Sequence, residues 1–260
     1  MLRYPSRRPG FRGWPGDYSP PAPTTILGVS GYLASTNYFA SAGTANAMLK
    51  ATPWSLGVMM SISANPSGSV NTIVGRSQNT AAGGGAFLRV TSAGLVTGRI
   101  ADGTTTADTA NSSALTANSV YLFVMTHDGS NIHLIQQAGE IGSPVAASYK
   151  DPDTVGMQLT SGVRAVNHDQ DCETLKLFGI VTATAAMSAA QVATWAAACK
   201  VAMDVVDFPA SPQCLYSVRE GLGGVAGAAP STWADENAIG LTKTLAGSLA
   251  VTEVTPTWGN

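Results

Sequence analysis

The sequence predicts an all-β protein, an antiparallel jelly-roll sandwich with one short helix. Short apolar segments with a period of two recur along the chain, and turns rich in Gly, Asn, Asp and Ser separate them. One stretch alone, 188–200, has the spacing of an amphipathic helix. The segments that contain the expected strands are 24–39, 53–64, 70–77, 86–103, 119–143, 155–161, 172–182, 214–221 and 239–254.

Alternation is clearest in 53–64, where successive side chains of a strand point to opposite faces of its sheet. One face carries Trp54, Leu56, Val58, Met60 and Ile62, and the other carries Ser55, Gly57, Met59, Ser61 and Ser63. We therefore expect the first face to lie in the core of the sandwich.

Two segments have the pattern of β-hairpins, in which a short turn joins two apolar runs. Residues 86–103 are expected to turn at 92–94, Ser-Ala-Gly, and residues 119–143 at 128–131, Asp-Gly-Ser-Asn. A further turn is expected at Gly139. These local pairings support an antiparallel topology.

The helical segment follows an apolar strand within 177–200. Ser188 is the expected N-cap, and Gln191 stands where the second residue of a capping box belongs. One stripe of the helix is apolar and consists of Val192, Trp195, Ala196 and Cys199. Because this face is small, we expect the helix to lie on a sheet edge.

Length and composition suit one large β domain with a sizeable core. Only 12% of the 260 residues are charged, about half the usual share, and such a surface suits a protein packed against neighbours. The chain shows neither a signal-peptide pattern nor an apolar run long enough for a membrane span. Cys172, Cys199 and Cys214 have no metal-binding spacing and are expected to be buried thiols, with a Cys199–Cys214 bridge left open.

Residues 1–25 differ from the rest, because they hold four arginines against one acid and have a net charge of +3, which leaves −5 for the remainder of a chain of net charge −2. Frequent prolines predict an extended, irregular arm. Its expected partner-binding residues are Arg3, Tyr4, Arg7, Arg8, Phe11, Arg12, Trp14 and Tyr18. The arm is interpreted as an assembly device that docks on neighbouring subunits, and the alternative is a tail lying on its own domain. Nucleic-acid contact is not expected, since this spacing better fits a protein groove.

The order of segments resembles the laminin-G-like, concanavalin-A-like jelly-roll family. Trp54-Ser55 with Val58 and Met60 matches an early family strand, and 122–140 matches a hairpin. Residues 175–195 match the family's strand and short helix. In that segment Met187 stands at a usual Leu position and Gln191 at a usual Glu position.

The resemblance covers about 26–200. It departs from the family pattern beside 134–140, where expected aromatic residues are missing. Residues 210–260 lie outside the usual span and are expected to complete the sandwich, so that 26–260 forms one body. Similar domains occur in tailed-bacteriophage virion proteins, as head decorations or as fibre and neck components. The resemblance therefore implies a virion protein made in the host cytoplasm.

The sharpest chemical candidate is 168–173, His-Asp-Gln-Asp-Cys-Glu. On a strand, Asp169, Asp171 and Glu173 would share one face and would resemble the acidic strand of jelly-roll glycosidases. The segment lies where a loop should enter the next strand, so a solvated turn is the favoured interpretation. A calcium site formed by these three acids is a weaker alternative, and no other cofactor is expected. His127, His133 and His168 are interpreted as hydrogen-bonding side chains.

Three functions follow from these observations. The first is a non-enzymatic structural protein of a phage particle, a capsid decoration or a head, neck or tail accessory. It would contact other virion proteins, such as major capsid or tail subunits, and would form homo-oligomers or join a symmetric assembly. The second is a glycan-binding adhesion module that binds cell-surface sugars with loops at one sandwich end, with Tyr32, Tyr38 or Trp233 as stacking faces. The third is a glycoside hydrolase at 168–173. Membrane insertion is not expected.

Overall fold

The computed structural model describes residues 23–32, 36, 38–41, 52–68, 71–77, 83–137, 139–152, 160–162, 170–218, 232–233, 243–246 and 248–260. Within these residues the chain forms two β-sheets that pack face to face, and one α-helix. The predicted all-β antiparallel sandwich with one short helix is therefore confirmed. Residues 1–22, which hold every predicted arm contact, lie outside the described residues.

The larger sheet has ten strands among the described residues. They are β1 Ile26–Ser30, β3 Trp54–Ile62, β8 Ser119–His127, β9 Asn131–Gln136, β10 Gly139–Glu140, β11 Val145–Ala146, β13 Leu175–Ala183, β14 Pro212–Ser217, β17 Ala250–Val254 and β18 Thr257–Trp258. Their order is β10-β9-β8-β3-β13-β1-β17, with β11 beside β9, β14 beside β13 and β18 beside β8. The β18–β8 pair is parallel and the other described pairs are antiparallel.

The smaller sheet has eight strands in the described part of the chain. They are β2 Tyr38–Ser41, β4 Asn71–Ser77, β5 Gly85–Val90, β6 Val96–Ala101, β7 Thr106–Asp108, β12 Thr160–Ser161, β15 Thr232–Trp233 and β16 Lys243–Ala246. Their order is β15-β16-β2-β12-β4-β5-β6-β7. Both predicted hairpins are present as β5–β6 and β8–β9, and β10 pairs with β9 after the turn before Gly139.

Strands from the C-terminal region belong to both sheets. β17 pairs with the N-terminal strand β1 along its whole length, and β14 pairs with β13. In the smaller sheet β16 pairs with β2. Residues far apart in sequence are thus neighbours in the ladders, so the sandwich is closed by long-range pairing.

The core between the sheets is formed by the expected face of β3. Trp54, Leu56, Val58, Met60 and Ile62 are buried together with apolar side chains of both sheets, including Leu88 and Ile100. Met59 lies on the opposite face of β3 and belongs to a separate buried cluster. The predicted alternation of this strand is confirmed.

The helix α1, Ala189–Ala202, begins as the sequence predicts. Ser188 is the N-cap, and its hydroxyl accepts a bond from the Gln191 amide at 3.3 Å. The Ser188 amide donates to Gln191 Oε1 at 2.9 Å, which completes the capping box. The predicted stripe of Val192, Trp195, Ala196 and Cys199 is buried.

The helix α1 lies at the side of the larger sheet that ends in β9 and β10, the strands with which it makes its main contacts. Its buried side chains pack on the outer face of the larger sheet, where Met59, Leu122 and Phe178 are apolar. Trp195 donates its indole N–H to the Val206 carbonyl at 2.7 Å. The predicted position at a sheet edge is confirmed, and the helix also covers apolar outward residues of the neighbouring central strands.

The three cysteines are buried and free, so Cys199 and Cys214 form no bridge. Burial raises the pKa of the Cys172 and Cys199 thiols to about 12, which keeps both protonated at neutral pH. Within the described residues, no helix has the length and apolarity needed to cross a membrane.

Candidate ligand-binding surfaces

A depression of about 460 Å³ lies at the end of the sandwich where β8 finishes and β9 begins. Three segments form it: the β6–β7 turn with the start of β7, the β8–β9 turn, and the segment that begins with β11. Its lining consists of Asp102, Thr105, Thr106, Ala107, Ser130, Ala146, Ala147 and Ser148. We call it the end depression.

Asp102 shapes the first of these turns. Its carboxylate accepts bonds from the Thr105 amide at 2.6 Å, from the Thr104 amide at 2.7 Å and from both hydroxyls at 2.9 Å. The side chain thus substitutes for backbone acceptors in a tight turn, as aspartate commonly does. These bonds, led by the Thr105 amide, hold the pKa of Asp102 well below its usual range, so the carboxylate is ionised at neutral pH.

Asp128 has the same role in the β8–β9 turn. It accepts from the Asn131 amide at 2.7 Å and the Ser130 amide at 2.8 Å. His133 contacts Asp128 at 3.2 Å and Glu140 at 2.7 Å. Two acidic side chains therefore hold this imidazole against the turn, which agrees with its interpretation as a hydrogen-bonding side chain.

His127 connects that turn to the third segment. Its Nε2 lies 2.9 Å from the Ala147 carbonyl, and the Gly129 amide donates to its Nδ1 at 3.0 Å. The His127 ring packs with the rings of Trp54 and Tyr149. The centroids of the Trp54 and Tyr149 rings are 5.4 Å apart. This group fixes the backbone that lines the depression.

Three exposed hydroxyls complete the polar lining. Thr106, Ser130 and Ser148 each contribute one, and these side chains make no hydrogen bond in the described part of the chain. A hydroxyl without an internal partner can both donate to and accept from a ligand. Together with Asp102, they form a polar surface on a rigid frame.

A second pair of depressions, of about 370 and 280 Å³, lies at the opposite end of the larger sheet. They share Ser30, Gly31 and Glu173. The Ser67 amide donates to Glu173 at 2.7 Å. Burial alone would raise the pKa of Glu173, but the hydrogen bonds from the Ser67 amide, the Glu173 amide and the Ser67 hydroxyl together outweigh it, and the pKa lies below its usual value.

The acidic segment does not form the strand that a glycosidase site would need. Residues 170–174 form a turn, and β13 begins only at Leu175. Asp171 and Glu173 lie in this turn, whereas Asp169 lies outside the described residues. Among the residues that are described, no group of three or more His, Cys, Asp or Glu is placed to hold a metal ion.

Of the three predicted stacking aromatics, Tyr32 and Tyr38 have described side chains. Tyr32 is fully buried in the core, so its prediction as an exposed sugar-stacking face was wrong. The physical reason is packing, because Tyr32 belongs to the apolar cluster between the sheets and its ring lies against Gly162, which has no side chain. Tyr38 is half-buried on β2, and the side chain of Trp233 lies outside the described residues.

The outer face of the smaller sheet carries charged residues that the sequence analysis did not single out. Arg89 on β5 donates to Asp108 on β7 at 2.8 Å, and Arg99 on β6 donates two bonds to the same carboxylate at 2.6 Å. We call these three residues the arginine patch. Alternation along β5 and β6 could have identified the two arginines from the sequence. Leu88 and Ile100 face the core, so their neighbours Arg89 and Arg99 must face outward.

Comparisons with known proteins support the fold. No protein-family model matches the chain, and no curated protein matches it. Among solved structures, a protein from Bacteroides ovatus ATCC 8483, to which carbohydrate binding has been provisionally assigned, has a TM-score of 0.60 at 16% identity. The match covers 90% of this chain and 60% of that protein, so this chain spans only part of its length. This likeness shows a shared β-sandwich fold.

More distant structures are also similar. A heptameric SAP-like pentraxin from Limulus polyphemus has a TM-score of 0.49 at 11% identity, over 66% of this chain and 82% of that one. The CBM40 of the Ruminococcus gnavus IT-sialidase, in complex with α2,3 sialyllactose, has a TM-score of 0.44 at 10% identity. That match covers 64% of this chain and 96% of the module.

Proposed function

We propose that this chain is a carbohydrate-binding β-sandwich module that binds sugars at the end depression without catalysis. The observation that carries the proposal is the lining of that depression, where an ionised carboxylate and three exposed hydroxyls come together from three segments. The likeness of the fold to the Bacteroides ovatus protein supports the same function. This was the second of the functions that the sequence suggested.

The chemistry of the depression suits sugar hydroxyls. A sugar hydroxyl donates to a carboxylate oxygen and exchanges bonds with Thr and Ser hydroxyls. Asp102 Oδ2 accepts only one bond from its own turn, from Thr105, and can accept another. The volume of about 460 Å³ lies within the usual range of small-ligand sites. Because the described lining contains no aromatic side chain for stacking, we expect weak binding at each site and strong binding only when several copies act together.

The same residues argue for binding rather than hydrolysis. Glycosidases use two carboxyl groups on either side of the scissile bond, one of them protonated. Asp102 is the only carboxylate of the described lining, and its turn keeps it ionised. It can therefore accept hydrogen bonds from a sugar but cannot serve as the general acid.

A glycan array tests the proposal. The chain is displayed as a multimer, and we expect binding to at least one class of glycans. The combined change Thr106→Ala, Ser130→Ala and Ser148→Ala should lower that binding by about tenfold or more, since hydrogen bonds of roughly 0.5–1.5 kcal/mol each are lost.

Ser63→Ala is the matched control, because it removes an exposed hydroxyl at the opposite end of the sheet. It should leave glycan binding unchanged. Absence of any glycan signal, or equal loss in the triple variant and the control, would refute the proposal.

The role in a phage particle remains a separate proposal. Its predicted contacts lie in residues 1–25, of which 1–22 are outside the described residues. A glycan-binding module and an assembly arm are compatible, since a fibre must both attach to its particle and bind a cell. Deletion of residues 1–25 should abolish incorporation into particles while glycan binding persists; incorporation at the level of the full chain would contradict the assembly role.

A further inference from the structure

The arginine patch lies beside the end depression on the same surface. Thr106, which lines the depression, and Asp108, which belongs to the patch, are both on β7. They are two residues apart, so their side chains share one face and are separated by about 7 Å. A ligand in the depression that extends along β7 would therefore meet Asp108 and Arg99.

The patch has an excess of positive charge. Two guanidinium groups share one carboxylate, and neither arginine has another ion-pair partner in the described part of the chain. Asp108 is kept ionised: its partial burial would raise its pKa, but the bonds from Arg99 and Arg89 lower it below its usual value. One positive charge thus remains uncompensated on a chain whose net charge is negative.

The donors of the patch are only partly used. Arg99 uses Nε and one Nη to bind Asp108, and Arg89 uses one Nη. Each guanidinium has more N–H donors than these bonds use. Arg89 Nε is buried without a hydrogen-bond partner, although the Arg89 side chain is only 10% exposed. A buried donor without a partner is costly, and a ligand oxyanion that reaches the patch would favour reorientation of this guanidinium toward it.

The patch is accessible to a ligand. The side chains of Arg99 and Asp108 are 32% and 35% exposed, so an oxyanion can approach Arg99 from solvent. Guanidinium binds carboxylate and sulfate oxygens through parallel bonds, which a neutral hydroxyl cannot form. The unused donors of Arg99 can form such bonds while Asp108 holds the side chain in place.

We propose that the arginine patch binds the anionic group of an acidic saccharide, a carboxylate or a sulfate, whose neighbouring sugar lies in the end depression. This inference rests on the proposed function and assigns its ligand class. Asp108 is a positioning residue in this arrangement, and Arg99 is the contact to the anion.

The test uses three matched probes: a glucuronate-containing disaccharide, its methyl ester and a sulfated analogue of the neutral sugar. Nuclear magnetic resonance of the arginine N–H groups reports contact at the patch in the intact chain. We expect the glucuronate or the sulfate probe to shift the Arg99 signals and to bind about ten- to a hundredfold tighter than the methyl ester, as charge-assisted bonds do. The stronger of the two identifies the anionic group.

Arg99→Gln should remove the preference for the acidic probe and leave binding of the methyl ester unchanged. Arg99→Lys keeps the charge but not the planar fork and should retain only part of the preference. Lys176→Gln is the control, because it removes a cation on β13, away from the patch. The unfolding free energy of each variant confirms that it is folded.

The outcomes separate the two proposals. Equal binding of acidic and neutral probes, with no shift of the arginine signals, overturns the anion site and leaves the carbohydrate-binding proposal intact. Failure of all three probes, together with an empty glycan array, overturns the proposed function and this inference with it. Loss of acidic preference in Lys176→Gln to the same extent as in Arg99→Gln also overturns the anion site, since it shows only a dependence on net charge.

Discussion

The outer faces of the two sheets are opposite in character. On the larger sheet, outward residues such as Met59, Leu122 and Phe178 are apolar, and α1 with the following segment buries them. On the smaller sheet, the outward residues of β5, β6 and β7 include Arg89, Arg99 and Asp108. We call the outer face of the larger sheet, which α1 buries, the covered face. We call the outer face of the smaller sheet, which is in contact with solvent, the open face.

The two outer faces contribute to different properties, the covered face to the stability of the fold and the open face to the proposed binding. Burial of apolar surface on the covered face contributes to the free energy of folding without further function. On the open face, Arg99 and Asp108 are about one-third exposed, and ion pairs that solvent screens in this way contribute little to folding.

The largest expected change in the free energy of unfolding comes from a substitution at the covered face. Trp195→Ala removes the central side chain between α1 and the sheet, including its contact with the Phe208 ring at 5.0 Å and its bond to Val206. We expect a loss of about 3–5 kcal/mol in the free energy of unfolding, measured by urea denaturation. Thr194→Ala, exposed on the same helix, is the control and should change stability by less than about 0.5 kcal/mol. Equal effects of the two changes would show that the helix does not cover a core.

A smaller loss of stability is expected at Gly57, where the segment after α1 packs closely on the sheet. A methyl group at Gly57 would lie 2.7 Å from Phe208 Cζ and 3.0 Å from Val181 Cγ1. Gly57→Ala should therefore destabilise the protein by about 1–3 kcal/mol through overpacking. Gly139→Ala is the matched change, because nothing lies within 4 Å of its Cβ position. A neutral Gly57→Ala would mean that the segment around Phe208 is not packed on the sheet.

The smallest expected change in the free energy of unfolding comes from a substitution at the open face, and this change depends on pH. The pKa of Asp108 is lower in the folded chain than its ordinary value of 3.8, so its ion pairs stabilise the fold above that value and lose this contribution as pH falls through the folded pKa. Asp108→Asn should lower stability at neutral pH by about 1 kcal/mol or less, as exposed ion pairs do. The difference in unfolding free energy between Asp108→Asn and the unsubstituted chain should become smaller as the pH falls through the pKa of Asp108. A difference that is constant across pH in urea denaturation would contradict the ion-pair assignment.

Local patterns predicted much of the fold. The alternation of 53–64 identified the inward face of β3, and Asp128-Gly129 marked the turn between β8 and β9. Ser188 and Gln191 located the start of α1. These features are determined by residues close in sequence, so a period or a capping pattern suffices to find them.

The candidate site could not be predicted in the same way. The end depression combines Asp102, Ser130 and Ser148, which come from three segments that only the folded sandwich brings together. Tyr32 has an aromatic ring that could stack on a sugar, but its burial depends on packing in the core between the sheets and against Gly162. Neither property is visible in a local pattern.

The sequence by itself determined most of the longer strands, the turns of both hairpins, the capped helix and the division of β3 into two faces, because these depend on side-chain spacing and on contacts over a few residues. Only the tertiary structure decided that α1 covers the larger sheet, that β17 pairs with β1, and that Arg89, Arg99 and Asp108 share one surface beside the end depression. The physical reason is that strand pairing and sheet packing are settled by complementary apolar surfaces from distant parts of the chain, and the partners of a charged side chain follow from them.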